Sequence, residues 1–500
     1  MISKKFAIKV LFLSAELVPL AKVGGLGDVA GALPIALAKL GVDIRICLPF
    51  YGLIDSKKYS AKKIISNLSV SISNKNELVD VWQTFLPTTK IPVYLIKHNF
   101  FDSKEIYLND KKHRLPRLNY KARDDKRSDN LKRFAFFTRA ALEVSKKINF
   151  QPNVVHANDW HVALAADFIK TLNKKDNFFI KTKTLYTIHN LANQGITKTN
   201  IVEYAKINKN LPIIKVDAQD GDVNFMVQGI LGSGLINTVS PTYAKEILMH
   251  YQDAGLDKIL KKRKKDLYGI LNGIDTDFFN PATDNLIKQK YSLKNLKQKK
   301  ANKLALQKQL GLPADKKIAL VGLVSRLVGQ KGIALFNENF SKLNCQFVFL
   351  GTGQKKYEQQ LLNLSKKFPR QFSAQIKFDE KLAHLIYAGA DIFLMPSHFE
   401  PCGLGQMIAM RYGTVPVVRA TGGLADTITP LKKRASGIKS TGFVFKKYLP
   451  EELYKKLNQA LTVFYKQPKL WQQLQAAGMK QNFSWDKSAM EYFKLYRRLI

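Results

Sequence analysis

Ile8-Lys9-Val10-Leu11-Phe12-Leu13-Ser14 is a short apolar run broken by Lys9. A run without polar alternation predicts a strand covered on both faces, as in a parallel sheet. A loop holding Gly24 and Gly25 follows, then a helix over about Gly27 to Leu40 and a strand over Asp43 to Leu48. The alternation continues through a strand at Val154–His156, a helix over Ala163 to Leu172, and strands at Thr184–Ile188 and Asn237–Ser240. Beyond about residue 270 it begins again, with strands at Ile318–Ser325, Phe347–Leu350, Asp391–Pro396 and Val415–Val418 and helical segments between. The repeated strand–helix–strand order predicts an α/β chain of two Rossmann-like, doubly wound parallel-sheet domains. They are expected over 1–270 and 271–482, with 483–500 a C-terminal helix packing back on the first. Asp284 to Leu310, with eight lysines among scattered Leu and Ile, predicts exposed helix. Residues 103 to 132 predict a basic surface excursion.

Composition supports two cores. The chain has 500 residues, 46% of them hydrophobic and 11% aromatic, which excludes disordered, collagen-like and disulfide-stapled classes. Cys47, Cys345 and Cys402 form no CxxC pair, and three thiols in this length suit a reducing cytoplasm. Lys4 and Lys5 before the run Phe6 to Ala15 mimic the front of a secretory leader, but Lys9 interrupts it and favours a first strand. No stretch approaches the roughly 20 apolar residues of a membrane span, so no membrane partner is expected.

The net charge is +41. Such a balance raises a polyanion- or nucleic-acid-binding reading. Only 15 of the 80 cations are Arg, however, and base-reading sites draw on Arg. The lysines are spread along the chain, including Lys261 to Lys265 and Lys288 to Lys308, as on a solvated surface. No specific nucleic-acid partner is expected.

Open parallel sheets bind ligands beyond the carboxyl ends of their strands. Lys22-Val23-Gly24-Gly25-Leu26-Gly27-Asp28 occupies such a place, where glycines permit close approach and a helix N-terminus offers N–H groups to phosphate. It matches a dinucleotide fingerprint only loosely, because Gly25 lies well past the strand and no acidic residue ends the second strand. Arg326 and Lys331 lie five residues apart at a strand-to-helix turn, suited to two phosphates. His398 to Gly405, including Glu400, Cys402, Gly403 and Leu404, follows another strand, and Thr421-Gly422-Gly423 follows the next with amides suited to a phosphate nest. In the first half, His156, Asp159, His161, His189 and Asn190 fall at strand ends. Asp220-Gly221-Asp222 and Asp275-Thr276-Asp277 have the DxD spacing of some metal-dependent transferases, but Asp275 follows an Asn-Gly turn that an Asp readily caps. Two cations suffice for a leaving diphosphate, so no metal is expected.

These residues resemble a known family. Lys22 to Asp28 is similar to the KxGGLGDV signature of bacterial glycogen synthases and plant starch synthases. His156 to His161 resembles their HxxDWH stretch, and Thr187 to Gly195 their TxHNLxxQG. Val239 to Ala244, Leu271 to Asp275, Ser325 to Gly332, Pro396 to Leu404, Thr421 to Asp426 and Phe483-Ser484-Trp485 follow in order. The resemblance implies a GT-B fold with its active site between two Rossmann-like domains. It implies transfer of α-glucosyl from ADP-glucose to the non-reducing end of an α-1,4-glucan such as glycogen, with retention and without metal or other cofactor.

By the same resemblance, Lys22, Arg326 and Lys331 hold the diphosphate, with Gly24, Gly25 and Asp28 beside Lys22. Glu400 binds the donor sugar, flanked by Cys402, Gly403, Leu404 and Asn272. His189 and Asn190 lie over the glucosyl group, Asp159 lies near the acceptor, and Thr421, Gly422 and Gly423 supply N–H groups. Phe378 stands where the family often has tyrosine near the adenine. Val227 replaces a usual lysine, Asn193 a usual tyrosine, and Val328-Gly329 a common Thr-Ser. Ile408 stands where related retaining families carry a second glutamate.

Overall fold

In the computed structural model, residues 7–108, 125–174, 176–250, 254–431 and 439–500 are described, the side chains of 125–129 excepted. The chain divides into two compact units. One comprises Met1–Val239, Ala244–Ile270 and Trp485–Ile500, the other Ser240–Tyr243 and Leu271–Ser484.

The first unit is built on nine strands: β1 (Lys9–Leu13), β2 (Asp43–Pro49), β3 (Lys62–Ile72), β4 (Lys75–Phe85), β5 (Pro92–Lys97), β6 (Val154–Asn158), β7 (Lys183–Ile188), β10 (Leu235–Thr238) and β11 (Leu267–Gly269). A separate antiparallel pair joins β8 (Ile196–Lys198) to β9 (Asp222–Asn224). The nine-stranded order is β11-β10-β7-β6-β1-β2-β5-β4-β3. Val10 to Leu13 are fully buried, as expected of a strand covered on both faces. The sequence reading named neither β3 nor β4, which run antiparallel to each other at the sheet's edge, with β4 antiparallel to β5. Bulges between Lys63 and Ile65 and between Ile65 and Leu68 break their period, so no clean alternation marks them.

Order decides where a site can form. β1 pairs with β2 on one side and β6 on the other, so the winding reverses between β1 and β6 and opens a crevice beyond their carboxyl ends. The second unit repeats this arrangement. Its strands β12 (Ala319–Val324), β13 (Cys345–Leu350), β14 (Phe372–Gln375), β15 (Ile392–Met395), β16 (Val415–Arg419) and β17 (Phe443–Phe445) are all parallel. Their order, β14-β13-β12-β15-β16-β17, places the reversal between β12 and β15.

Two buried polar clusters pin these frames. In the first unit the C-terminal helix Trp485–Leu499 brings in Tyr492 and Tyr496. His156 Nδ1 meets Tyr496 OH at 2.8 Å and Nε2 meets Thr187 Oγ1 at 2.6 Å. Thr187 Oγ1 donates to Asn237 Oδ1, whose amide nitrogen donates to Tyr492 OH at 3.0 Å. Burial pushes the His156 pKa down to about 3, so the ring is neutral. His156 therefore belongs to the core, where each ring nitrogen already has a partner.

In the second unit the stretch read as exposed helix is otherwise. A 3-10 turn at Leu293–Gln298 leads into a helix at Lys299–Gln309 with Lys299, Asn302, Lys303, Leu306 and Gln307 buried. Lys299, only 5% exposed, donates to Ala388 O and Thr414 Oγ1 at 2.7 Å and to Tyr387 O at 3.2 Å. Lys303 pairs with Asp391 at 2.6 Å. A lysine count mistook these inward-facing cations for solvated ones.

Candidate active site

In the first unit, β1 runs into a loop and then the helix Gly25–Lys39, whose first turn carries Asp28. Lys22 Nζ pairs with Asp28 Oδ1 at 2.7 Å, both partly open to solvent. Beneath them lies Glu16, a buried carboxylate that the sequence reading missed. Its Oε2 accepts the N–H groups of Val23 and Gly24 at 2.8 and 2.7 Å, so those two amides are already engaged. Its Oε1 accepts Tyr107 OH at 2.6 Å. Tyr107 belongs to the segment read as a surface excursion, but Asn130 and Arg133 anchor its neighbours inward. Asn130 bonds both backbone groups of Leu108, and Arg133 donates to the carbonyls of Phe100 and Ile106. Residues 109–124 of that segment lie outside the described ones.

Asp159 follows β6 and His189 follows β7. Asp159 is buried and holds φ at +63°, which turns its carboxylate back under the loop after β7. That carboxylate takes backbone N–H groups from His189, Asn190 and Trp160. Burial outweighs them and, with Glu16 adding a like charge, raises the Asp159 pKa to about 8. His189 moves the other way: burial lowers it to about 3 and the imidazole is neutral. Its Nε2 lies 3.0 Å from Asn158 Oδ1. The Asn158 amide nitrogen donates to Leu13 O and His156 O, so Nε2 of His189 is the donor and Nδ1 stays an acceptor. His161 is buried, is likewise held near 3, and stacks on Tyr107 with ring centroids 5.1 Å apart.

The second unit gathers its cluster at the β12/β15 reversal. Lys331 Nζ meets Glu400 Oε2 at 2.5 Å, both largely buried, and Ser397 Oγ donates to the same oxygen at 3.0 Å. Among the described residues no hydrogen bond reaches Glu400 Oε1. Arg326, in the loop after β12, is exposed and has no carboxylate partner among the described residues. Arg419, not singled out from sequence, clamps the turn that carries Glu400. Its Nε donates to Ser397 O at 2.8 Å and its other nitrogens to His398 O and Lys446 O. Gln330 adds a bond to Phe399 O at 3.2 Å.

The glycines here serve backbone packing. Gly332 holds φ at +74°, and a Cβ there would lie 2.1 Å from Pro396 O. Gly422 holds φ at +43°, and its Cβ would lie 2.0 Å from Glu400 O. The loops after β15 and β16 thus touch main chain to main chain. The Gly423 N–H, expected to face phosphate, donates instead to Glu400 O and Pro401 O at 3.2 and 3.3 Å. Thr421 and Gly422 stand beside it, both buried. Ser240 Oγ adds a bond to Pro401 O at 2.7 Å, and Thr242 bonds the Asp426 carboxylate through N and Oγ1.

Cys402 is buried against this turn. Burial raises its thiol to about 12 although the Asn272 N–H points at it, so it is no nucleophile at neutral pH. Gly403 and Leu404 lead from it into the helix Gly405–Arg411, in which Ile408 is buried. Phe378 lies beyond β14, apart from these contacts and 89% exposed. Val227 is buried in the helix Phe225–Gly232. Asp275 caps its own turn through the N–H groups of Asp277 and Phe278, and Asp220 takes that of Asp222. No group of three His, Cys, Asp or Glu side chains among the described residues could hold a metal. Nor, among them, is any helix long and apolar enough to cross a membrane.

Residues 9–262 match the family described as the starch synthase catalytic domain, and residues 302–475 match glycosyl transferases group 1. A glycogen synthase of Thermotoga maritima is 41% identical over 99% of both chains. The chain belongs to the glycogen and starch synthase family. Another such relative, a glycogen synthase of Thermosipho melanesiensis, is also 41% identical with 99% of each chain covered. Among solved structures, the catalytic domain of starch synthase IV from Arabidopsis thaliana, bound to ADP and acarbose, superposes with a TM-score of 0.88. It is 33% identical, with 99% of each chain covered. Sucrose-phosphate synthase from Thermosynechococcus elongatus, 16% identical with a TM-score of 0.58 over 98% of this chain and 99% of that one, shares the fold. This synthase-family chain is therefore a glucosyltransferase with the GT-B fold.

Proposed function

We propose that the chain transfers the α-glucosyl group of ADP-glucose to the non-reducing end of an α-1,4-glucan, with retention, releasing ADP and lengthening glycogen. The observation that carries this reading is the Lys331–Glu400 pair with the uncompensated Arg326 at the β12/β15 reversal. A leaving diphosphate gathers negative charge as the glycosidic bond breaks, and preorganised cations act on that developing charge. Arg326 and Lys331 supply the compensating positive charge in the second unit and Lys22 offers another in the first, so the assigned residues need no metal. Glu400 Oε1 is left to accept a donor-sugar hydroxyl while Oε2 holds Lys331 in place. Phe378 offers its exposed ring to the adenine.

The first unit supplies neutral and acidic groups suited to an uncharged sugar. Neutral His189 keeps Nδ1 as an acceptor and, with Asn190, lies against the glucosyl group as positive character builds there. Asp159 faces the acceptor. Cys47, Cys345 and Cys402, all free and buried, suit a reducing cytoplasm.

Comparing ADP-glucose with UDP-glucose on a glycogen primer tests the reading. ADP release should accompany glucan lengthening, exceed UDP release, and persist in EDTA. Lys331→Ala should lower kcat by about 10²- to 10³-fold, the usual cost of losing one preorganised charge stabiliser. Unchanged ADP release in Lys331→Ala or Glu400→Ala contradicts the site assignment, and preference for UDP-glucose contradicts the donor assignment.

A further inference from the structure

We propose that Glu16 is a positioning residue for the transfer, a brace that sets the Lys22–Asp28 turn against the loop after β6 through Tyr107. The inference rests on the reading of that turn as part of the donor site.

A buried carboxylate is unfavourable unless charge or hydrogen bonds compensate it. Glu16 is 3% exposed and has no ion-pair partner among the described residues. Three neutral donors compensate it instead: the amides of Val23 and Gly24 on Oε2 and the Tyr107 hydroxyl on Oε1. Those amides lie immediately after Lys22, so their direction sets the course of the turn that carries the Lys22 ammonium. The space beneath the first helical turn is filled as well. A Cβ on Gly27 would lie 3.3 Å from both Glu16 Oε2 and Lys22 Cγ.

Tyr107 carries the constraint across the crevice. Its hydroxyl holds the carboxylate that follows β1, and its ring stacks on His161, two residues beyond Asp159 in the loop after β6. One side chain therefore ties together the loops on either side of the β1/β6 reversal. A shift of about 1 Å in a charge-stabilising group can cost about 10²-fold in rate. A brace with this geometry acts on kcat more than on donor affinity.

Steady-state kinetics with ADP-glucose and a glycogen primer, alongside thermal melts, test the inference. Glu16→Ala should lower kcat by about 10²-fold while the donor KM changes by less than about threefold. Glu16→Gln keeps an oxygen for Val23 and Gly24 and should recover most of the loss. Tyr107→Phe should fall between the two. In a Lys22→Ala background, Glu16→Ala should add little, because both changes remove one effect. Losses that multiply, native kcat in Glu16→Ala, or a loss that follows a lowered Tm without rescue by Gln would each overturn the brace. Should Lys22→Ala alone retain native kcat, the donor reading of the turn fails and takes the inference with it. Should Lys22→Ala be impaired while Glu16→Ala is native, only the inference fails.

Discussion

The His189 N–H donates to the Asp159 carboxyl across the loops after β6 and β7, yet burial drives their titrations in opposite directions. Asp159 keeps its proton in the folded state to a pKa of about 8, against an ordinary 3.8. Between those values the folded chain holds a proton that the unfolded chain has released, so this group's contribution to stability falls as pH rises through the window. The histidines act oppositely. His156, His161 and His189 have folded values of about 3 against 6.5, so their contribution rises with pH up to about 6.5 and is constant above it. In the interval from about 6.5 to about 8 the histidines are silent, and Asp159 shares the window with buried Asp167, raised to about 7, and with Lys299, which burial lowers to about 7 and whose contribution rises with pH. The difference between the two proteins isolates Asp159: across that interval the urea midpoint of the native protein should fall relative to that of Asp159→Asn. Equal slopes for the two proteins would show that Asp159 is already ionised there.

At the scale of elements, the site is made by loops that touch through their backbones. Gly422→Ala would place a methyl group 2.0 Å from Glu400 O at a positive φ. It should destabilise the protein by about 3 kcal/mol, read from a denaturant midpoint, and lower turnover by displacing the Glu400 carboxylate. A native midpoint would mean that the two loops separate freely. The same elements show what the chain's pattern could and could not reveal. Strands covered on both faces, such as β1 and β12, announce themselves as apolar runs without polar alternation, and the candidate residues Lys22, Asp159, His189, Lys331 and Glu400 were legible from their place after such strands. Edge strands β3 and β4 were not, because their exposed, bulged surfaces carry no steady period. Nor was Glu16, a single acidic residue in the loop beyond β1. Its importance comes from Tyr107, 91 residues away. The signal available was its position: a carboxylate just past the first strand, ahead of a glycine-rich turn. Composition misled at Lys299 and Lys303, whose aliphatic stems and ammonium groups are drawn inward by backbone carbonyls and by Asp391.

Across the whole molecule, a net charge of +41 describes the surface more than the chemistry. Each unit carries its own cluster at its own strand-order reversal, and the two differ in electrostatic character. The first combines Glu16, protonatable Asp159, neutral His189 and the Lys22–Asp28 pair, while the second has the Lys331–Glu400 pair and an exposed Arg326 with no carboxylate partner among the described residues. In the proposed reading the second environment holds most of the charged nucleotide, while the first offers Lys22 to the diphosphate and largely neutral groups to the sugars. A crystal structure with ADP bound tests this division most directly. The diphosphate should lie within hydrogen-bonding distance of Arg326 and Lys331, with the adenine against Phe378. A diphosphate bound elsewhere, with both cations turned away from it, would mean that Arg326 and Lys331 do not form the donor site.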